Sequence, residues 1–273
     1  MKIAVCWKWV AVDGEPSDDG RPDRRWAGVS RADHAALEVA LRCADSDISI
    51  VAYAPGEADD VLREGLAAGA HRAVRIDGPI GASSEAVAAA IAEVVDGHDV
   101  VVCGDYSLDR STGAVPAFIA AILRRPQALG LVDVAIHADG AIEGVRRLDG
   151  GRREVVALAA PAVVSVEGAV AALRRAPLVA SISARAATIE VRDAPDPAPV
   201  AGVAPFGELR PLRPRARSHA LPSGPTLERI RQLLDLGGED GPRTETVVLS
   251  PEAAAGAILG QLATWGYELP EQA

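Results

Sequence analysis

The segment Gly104-Asp-Tyr-Ser-Leu-Asp-Arg-Ser-Thr-Gly113 carries the strongest chemical signal in the sequence. Gly104 lets the chain turn sharply off an apolar run, and Ser111, Thr112 and Gly113 stand where a helix opens. The first N–H groups of a helix lack intrahelical partners and lie at the positive end of its dipole, so such a start suits an anion such as phosphate. The competing reading is a hydroxyl N-cap without a ligand, because capping alone favours Ser or Thr at that place. Asp105 and Asp109 put two acidic groups into the same loop. A second cluster, Cys6, Trp7, Lys8 and Trp9, follows the first apolar run. Two indoles flanking a lysine can stack on a planar ring, or they can cover the end of a sheet.

Other chemistries lack their residues. The histidines His34, His71, His98, His137 and His219 show no metal-ligand spacing, and the first three are expected at helix ends or on solvated helix surface. No Ser-His-Asp set, Walker A loop or GxGxxG fingerprint is present. Cys6, Cys43 and Cys103 are far apart and flanked by apolar residues. They read as buried thiols in a reducing cytoplasm rather than as a disulfide framework or zinc site. No signal-peptide pattern and no 18-residue apolar stretch occurs.

The elements that must position these residues follow from hydrophobic patterning. Of the 273 residues 49% are hydrophobic but only 3% aromatic, so the core must be built from Ala, Val, Leu and Ile, which suits buried parallel strands. A net charge of −10 excludes nucleic acid and anionic membrane surfaces as partners. Strands are predicted over 2–6, 48–52, 72–76 and 99–103. They alternate with helices over 30–41, capped by Ser30, then 57–69, 84–95 and 114–123. Such alternation requires crossover connections, hence a parallel sheet with helices on both faces. Ligands bind beyond the carboxyl ends of such strands, where Cys6–Val10, Tyr53–Gly56 and Gly104–Gly113 lie. Strands over 131–136, 141–148 and 154–158, separated by the turns Ala138-Asp139-Gly140 and Asp149-Gly150-Gly151, add an antiparallel meander, and 161–166 reads as one more strand. The fold class is therefore α/β, a doubly wound and mostly parallel sheet with an added meander and an extended C-terminal arm. The expected division is a domain over 1–192 and an arm over 193–273. The arm comprises the proline-rich stretch APDPAPVAGVAP, a basic segment Arg210–Arg217, and helices over 226–236 and 251–264 capped by Thr226 and Ser250.

Five stretches together match one family pattern: MKIAVCWKWV with its Lys8, DHAALEVALR ending at Arg42, VLREGLAAGAHRAVRI over 61–76, HDVVVCGDYSLDRSTGAVPAFIAAILRRPQA over 98–128, and Leu148-Asp149-Gly150-Gly151 followed by LAAPAVVSVEG. From Met1 to about Val191 the chain resembles the beta subunit of electron transfer flavoprotein. The resemblance implies a non-enzymatic electron carrier that pairs with an alpha-type subunit. That pair would share FAD, take electrons from a flavin-dependent dehydrogenase and pass them to a quinone reductase. It also implies AMP beside the loop. Cofactor contacts would then fall on Cys6, Trp7, Lys8, Trp9, Ser30, Tyr53, Gly104, Asp105, Asp109, Ser111, Thr112 and Gly113. Partner docking would fall on Leu178 in a mobile loop over 167–185.

The chain departs from the pattern in places. Ser30-Arg31-Ala32 stands where the family has Asn-Pro-Phe, Asp105-Tyr106 where it has Lys-Gln, and Ala171-Ala172-Leu173-Arg174 where it has Asn-Glu-Pro-Arg. A carboxylate in place of a lysine disfavours a nearby phosphate, which counts against AMP. The divergence and the Ala/Arg-rich composition are compatible with a specialised branch, such as the one that accompanies the redox cofactor mycofactocin. Two other classes share the sheet. A stand-alone nucleotide sensor of the universal-stress type would show a glycine-rich phosphate loop before the last helix. A pyrophosphate-cleaving ligase would show Ser-Gly-Gly after the first strand.

Overall fold

In the computed structural model the chain is described over residues 1–12, 25–195, 224–233 and 247–265. Alternation of apolar side chains within β1 (Lys2–Trp7) sends Ile3, Val5 and Trp7 to one face and Ala4 and Cys6 to the other. Both sets are buried, which only a sheet covered on two faces allows. The first layer is α1 (Arg31–Arg42) and α2 (Asp59–Ala68). The second is α3 (Ser84–Val95) and α4 (Ala114–Leu123). β2 (Val10–Ala11) and β3 (Ala27–Gly28) form a small antiparallel pair beside the sheet.

The main sheet has nine strands. They are β1, β4 (Asp47–Tyr53), β5 (Arg72–Asp77), β6 (Val100–Gly104), β7 (Gln127–Ile136), β8 (Ala141–Arg147), β9 (Arg153–Ala159), β10 (Ala162–Val166) and β11 (Glu190–Asp193). Their order is β11-β5-β4-β1-β6-β10-β7-β8-β9. Every pairing from β11 through β7 is parallel, and β7-β8-β9 is the antiparallel meander. The chain lays β4 and β5 on one side of β1 and then crosses to lay β6 on the other. A topological switch point therefore lies between β1 and β6, where the helices diverge and leave a crevice at the strands' carboxyl ends.

The doubly wound class and the meander thus stand as expected. Several local expectations are corrected. The short strand β11 pairs with β5 at the sheet edge, where no strand was expected. The segment 167–185 is not a loop throughout, because Leu178–Arg185 folds as α5. Pro177 supplies its N-cap backbone, and Ala184 is buried. The histidines are not simply solvated either. His71 Nδ1 accepts the Ile48 N–H at 3.1 Å. Both ring nitrogens of His98 are buried without a partner among the described residues, and burial lowers its pKa.

Two further helices, α6 (Thr226–Leu233) and α7 (Pro251–Thr264), fall in the C-terminal unit. Ser250 caps α7 through its hydroxyl and the Ala253 N–H, with Pro251 in the first turn. Thr226, expected as a cap, is instead the first helical residue of α6. Ile258 and Trp265 are exposed. The proline-rich stretch beyond Pro195 and the basic segment lie outside the described residues.

Candidate functional site

The crevice at the switch point has a volume of about 480 Å³, within the roughly 300–1,000 Å³ of small-molecule sites. The three strand ends named above build it, together with the loop after β5 over residues 78–82 and the adjoining face of α3. The turn after β1 contributes Lys8, the end of β4 contributes Tyr53, and the loop between β6 and α4 contributes Leu108, Asp109, Arg110 and Thr112. Of the residues picked out from sequence, Cys6, Trp7, Lys8, Trp9, Tyr53, Gly104, Asp109, Thr112 and Gly113 line it, whereas Ser30, Asp105 and Ser111 do not.

Trp7 is fixed from behind. Its indole N–H donates to the Asp33 carbonyl at 2.8 Å, and its ring meets His34 edge-on. Trp7 and Trp9 are both buried against the end of the sheet, and both also line the crevice. Lys8 reaches across to Asp109, Nζ to Oδ1 at 2.6 Å. Burial works against the ionised Asp109, but the hydrogen bond and charge of Lys8 outweigh it and hold the carboxyl below its usual range. This ion pair ties the turn after β1 to the loop after β6.

The loop itself is closed by its own backbone. Ser107 N–H donates to the Thr112 carbonyl at 2.9 Å, and Ser111 N–H to Ser107 at 2.8 Å. Ser111 adopts φ 52°. The N-cap of α4 is Gly113, and no side chain caps the helix. The hydroxyl-cap explanation for Ser111 and Thr112 therefore does not hold, and the first helical N–H groups remain available to an anion. Pro116, the third helical residue, has no N–H to offer. Arg110 lies at the rim, with one guanidinium nitrogen held by the Ala82 carbonyl at 2.9 Å.

Asp105 does not project into the crevice lining. Its N–H donates to the Val166 carbonyl at 3.1 Å, while burial and the charge of Glu167 raise its carboxyl pKa. Asp105 is thus the one acid of this loop that does not line the crevice.

Two contributors were not singled out from sequence. Asp33 lines the crevice, and burial pushes its carboxyl up to about 7 against hydrogen bonds from Ser30 and Lys8. Ser30 is buried and gives a reciprocal capping box, its hydroxyl accepting the Asp33 N–H at 3.0 Å. The Asp33 carboxyl sits so close under Gly104 that a Cβ there would stand 2.7 Å from Oδ1. The second is Arg174, which grips Glu38 of α1 through its guanidinium at 3.0 Å and its own N–H at 3.1 Å. Burial opposes the charged Glu38, yet Arg174 holds its pKa below the usual value. The segment before α5 is thereby anchored, and Leu178 at the first turn of α5 is left 75% exposed with Val179 beside it at 76%. Among the described residues no group of three or more potential metal ligands occurs, and no helix is long and apolar enough to cross a membrane.

The geometry is a half-open, partly apolar cleft beside a helix N-terminus, its cations Lys8 and Arg110 matched by the carboxyl groups of Asp33 and Asp109, and it can hold a small molecule with both apolar and polar parts. The family profile "Electron transfer flavoprotein domain" matches residues 24–197. A beta subunit of electron transfer flavoprotein from Methylophilus methylotrophus is 29% identical over 61% of this chain and 69% of its own length. The one from Megasphaera elsdenii is 34% identical over 51% of this chain and 59% of its own length. The protein FixA of Rhizobium meliloti is 33% identical over 54% of this chain and 55% of its own. The chain belongs to the electron transfer flavoprotein family, as a divergent member of its beta-subunit branch.

Proposed function

We propose that the chain is the beta-type half of an electron carrier. It pairs with an alpha-type flavoprotein subunit, helps to hold FAD, and passes electrons from a flavin-dependent dehydrogenase to a quinone-linked acceptor, a quinone reductase. The observation that carries this reading is the family match over 24–197, which takes in the helix α1, the loop 104–113 and α5. Bound FAD would supply the electron chemistry. The chain's own part is to orient and to exclude water, and its Lys8–Asp109 bridge and internally closed loop suit that part. In the same reading the crevice takes an adenine nucleotide such as AMP, which the start of α4 and Arg110 would hold together with the apolar lining. What supports such a group is a helix start uncapped by side chains and a lining without Asp105, in which Asp109 is already neutralised by Lys8. Residues 1–192 form the working domain, and 193–273 an arm that reaches toward the alpha subunit. The comparisons do not favour a stand-alone nucleotide sensor.

The test is co-expression with an alpha-type electron transfer flavoprotein subunit. The two chains are expected to co-purify as a yellow complex with a flavin absorption spectrum. A colourless monomer that fails to bind the alpha chain would overturn the reading.

Leu178 and Val179 form an exposed apolar step on α5 that suits docking of the dehydrogenase. Leu178→Ala is expected to slow electron delivery from the dehydrogenase about tenfold, the effect of losing roughly 1.4 kcal/mol of interface. The melting temperature should stay within a degree or two, since the side chain packs against little in the chain itself. A large fall in melting temperature with unchanged electron transfer would assign Leu178 to the fold instead.

A further inference from the structure

Cys6 of β1 and Cys103 of β6 are direct register partners on adjacent parallel strands. Neighbouring strands lie about 4.8 Å apart, within the roughly 4.4–6.8 Å between Cα atoms that a disulfide spans. Register partners in a parallel pair project to the same face, and both thiols belong to the core layer that faces α3 and α4. The Cys6 thiol is the leading influence that holds the Cys103 thiol well above its usual pKa range, ahead of burial. Both residues are 7% exposed or less, yet both line the crevice, so a small reagent has a path to them. Cys43 is remote: it caps the far end of α1 in the other core layer.

We propose that Cys6 and Cys103 are a vicinal dithiol that hydroperoxides convert to an intrachain disulfide across the two central strands, a reversible redox modification site in the floor of the crevice. The first step transfers one oxygen: the Cys6 sulfur attacks the peroxide, the O–O bond breaks, the thiol becomes a sulfenic acid and an alcohol or water leaves. In the second step the Cys103 sulfur attacks the sulfenic sulfur, the S–O bond breaks, and the Cys103 proton leaves with the hydroxyl as water. Two electrons have passed from the thiols to the peroxide. Strand spacing is wider than the roughly 3.8 Å that disulfide Cβ atoms prefer, so the bond is strained, and strained disulfides are the readily reduced ones. The inference rests on the register of β1 and β6 and not on what the crevice holds.

The experiment treats the reduced chain with hydrogen peroxide, then denatures it, alkylates free thiols and maps the peptides by mass spectrometry. The expected result is loss of two of the three thiols, a cross-linked peptide pair containing Cys6 and Cys103, an alkylated Cys43, and full recovery of all three thiols on adding dithiothreitol. Cys43→Ala is expected to give the same cross-link. The proposal is overturned if all three cysteines remain alkylatable under peroxide that oxidises exposed thiols. It is equally overturned if Cys6 or Cys103 accumulates as sulfinic acid without a cross-link.

Discussion

Gly113→Ala is expected to lower stability by roughly 2–4 kcal/mol, within the range of forced overpacking at a tight site. A Cβ at Gly113 would stand 2.0 Å from the Asp105 carbonyl oxygen and 3.2 Å from its carbonyl carbon. The obstacle is backbone, so no side chain can swing aside. The Asp105 carbonyl cannot retreat easily either, because its own N–H is bonded to Val166 in β10 and the next turns of the loop are closed by Ser107 and Ser111. Relief therefore displaces the whole loop and with it Asp109, the partner of Lys8. For a domain of this size, the loss corresponds to a fall in melting temperature of about 5–15 °C. Gly97→Ala is the control: a Cβ there meets nothing within 4 Å, and its melting temperature is expected to match the unaltered chain. If Gly113→Ala melts with that control, the close approach of the loop to the helix start is not present in solution.

How much of this was legible beforehand depends on whether the signal is local. The bounds of α4 agree with the expectation residue for residue, because a glycine precedes an unbroken apolar run and Arg125-Pro126 ends it. The central strands were legible for the same reason: burial on both faces leaves runs that are apolar but for a single small serine in β4 and in β10. β11 was not, since its four residues, Glu190–Asp193, are all exposed and form a strand only because β5 offers an unpaired edge. The helix α5 was missed because it has no capping side chain. Its anchor, Arg174 on Glu38, joins residues 136 positions apart. Likewise Lys8 and Asp109 were each picked out as chemically capable, but their pairing across 101 positions is a product of the fold. Asp33 was legible as a first-turn acid and not as a crevice group. Its burial arises from the contact of α1 with the end of β6, which no periodicity encodes.

That burial sets a second large effect, on the pH dependence of stability. The Asp33 carboxyl is pushed by burial up to about 7 in the folded chain, against opposing hydrogen bonds from Ser30 and Lys8. An unfolded aspartate titrates near 3.9. Between those values the folded chain holds a proton that the unfolded chain has released, so this group's contribution to stability falls as pH rises from about 4 to about 7 and is constant above. The full span is at most on the order of 4 kcal/mol. Glu38 and Asp109, whose pKa values are lowered by Arg174 and Lys8, act in the opposite sense. Their stabilisation is present above the ordinary carboxylate range and is lost as pH falls below it, so the bare pH profile mixes both. Asp33→Asn separates them, because the amide keeps the shape and an oxygen for the Ser30 N–H but cannot ionise. The variant and the unaltered chain are expected to be nearly equally stable at about pH 4, and the variant gains on the unaltered chain with each step above it. By pH 8 the variant should be more stable by roughly 1–3 kcal/mol, the discounted part of that span. Urea unfolding of both chains at half-unit intervals from pH 4 to 8 measures the difference directly. A difference that stays flat through pH 7 would mean that Asp33 does not titrate there and that its carboxylate is solvated or paired in the folded chain.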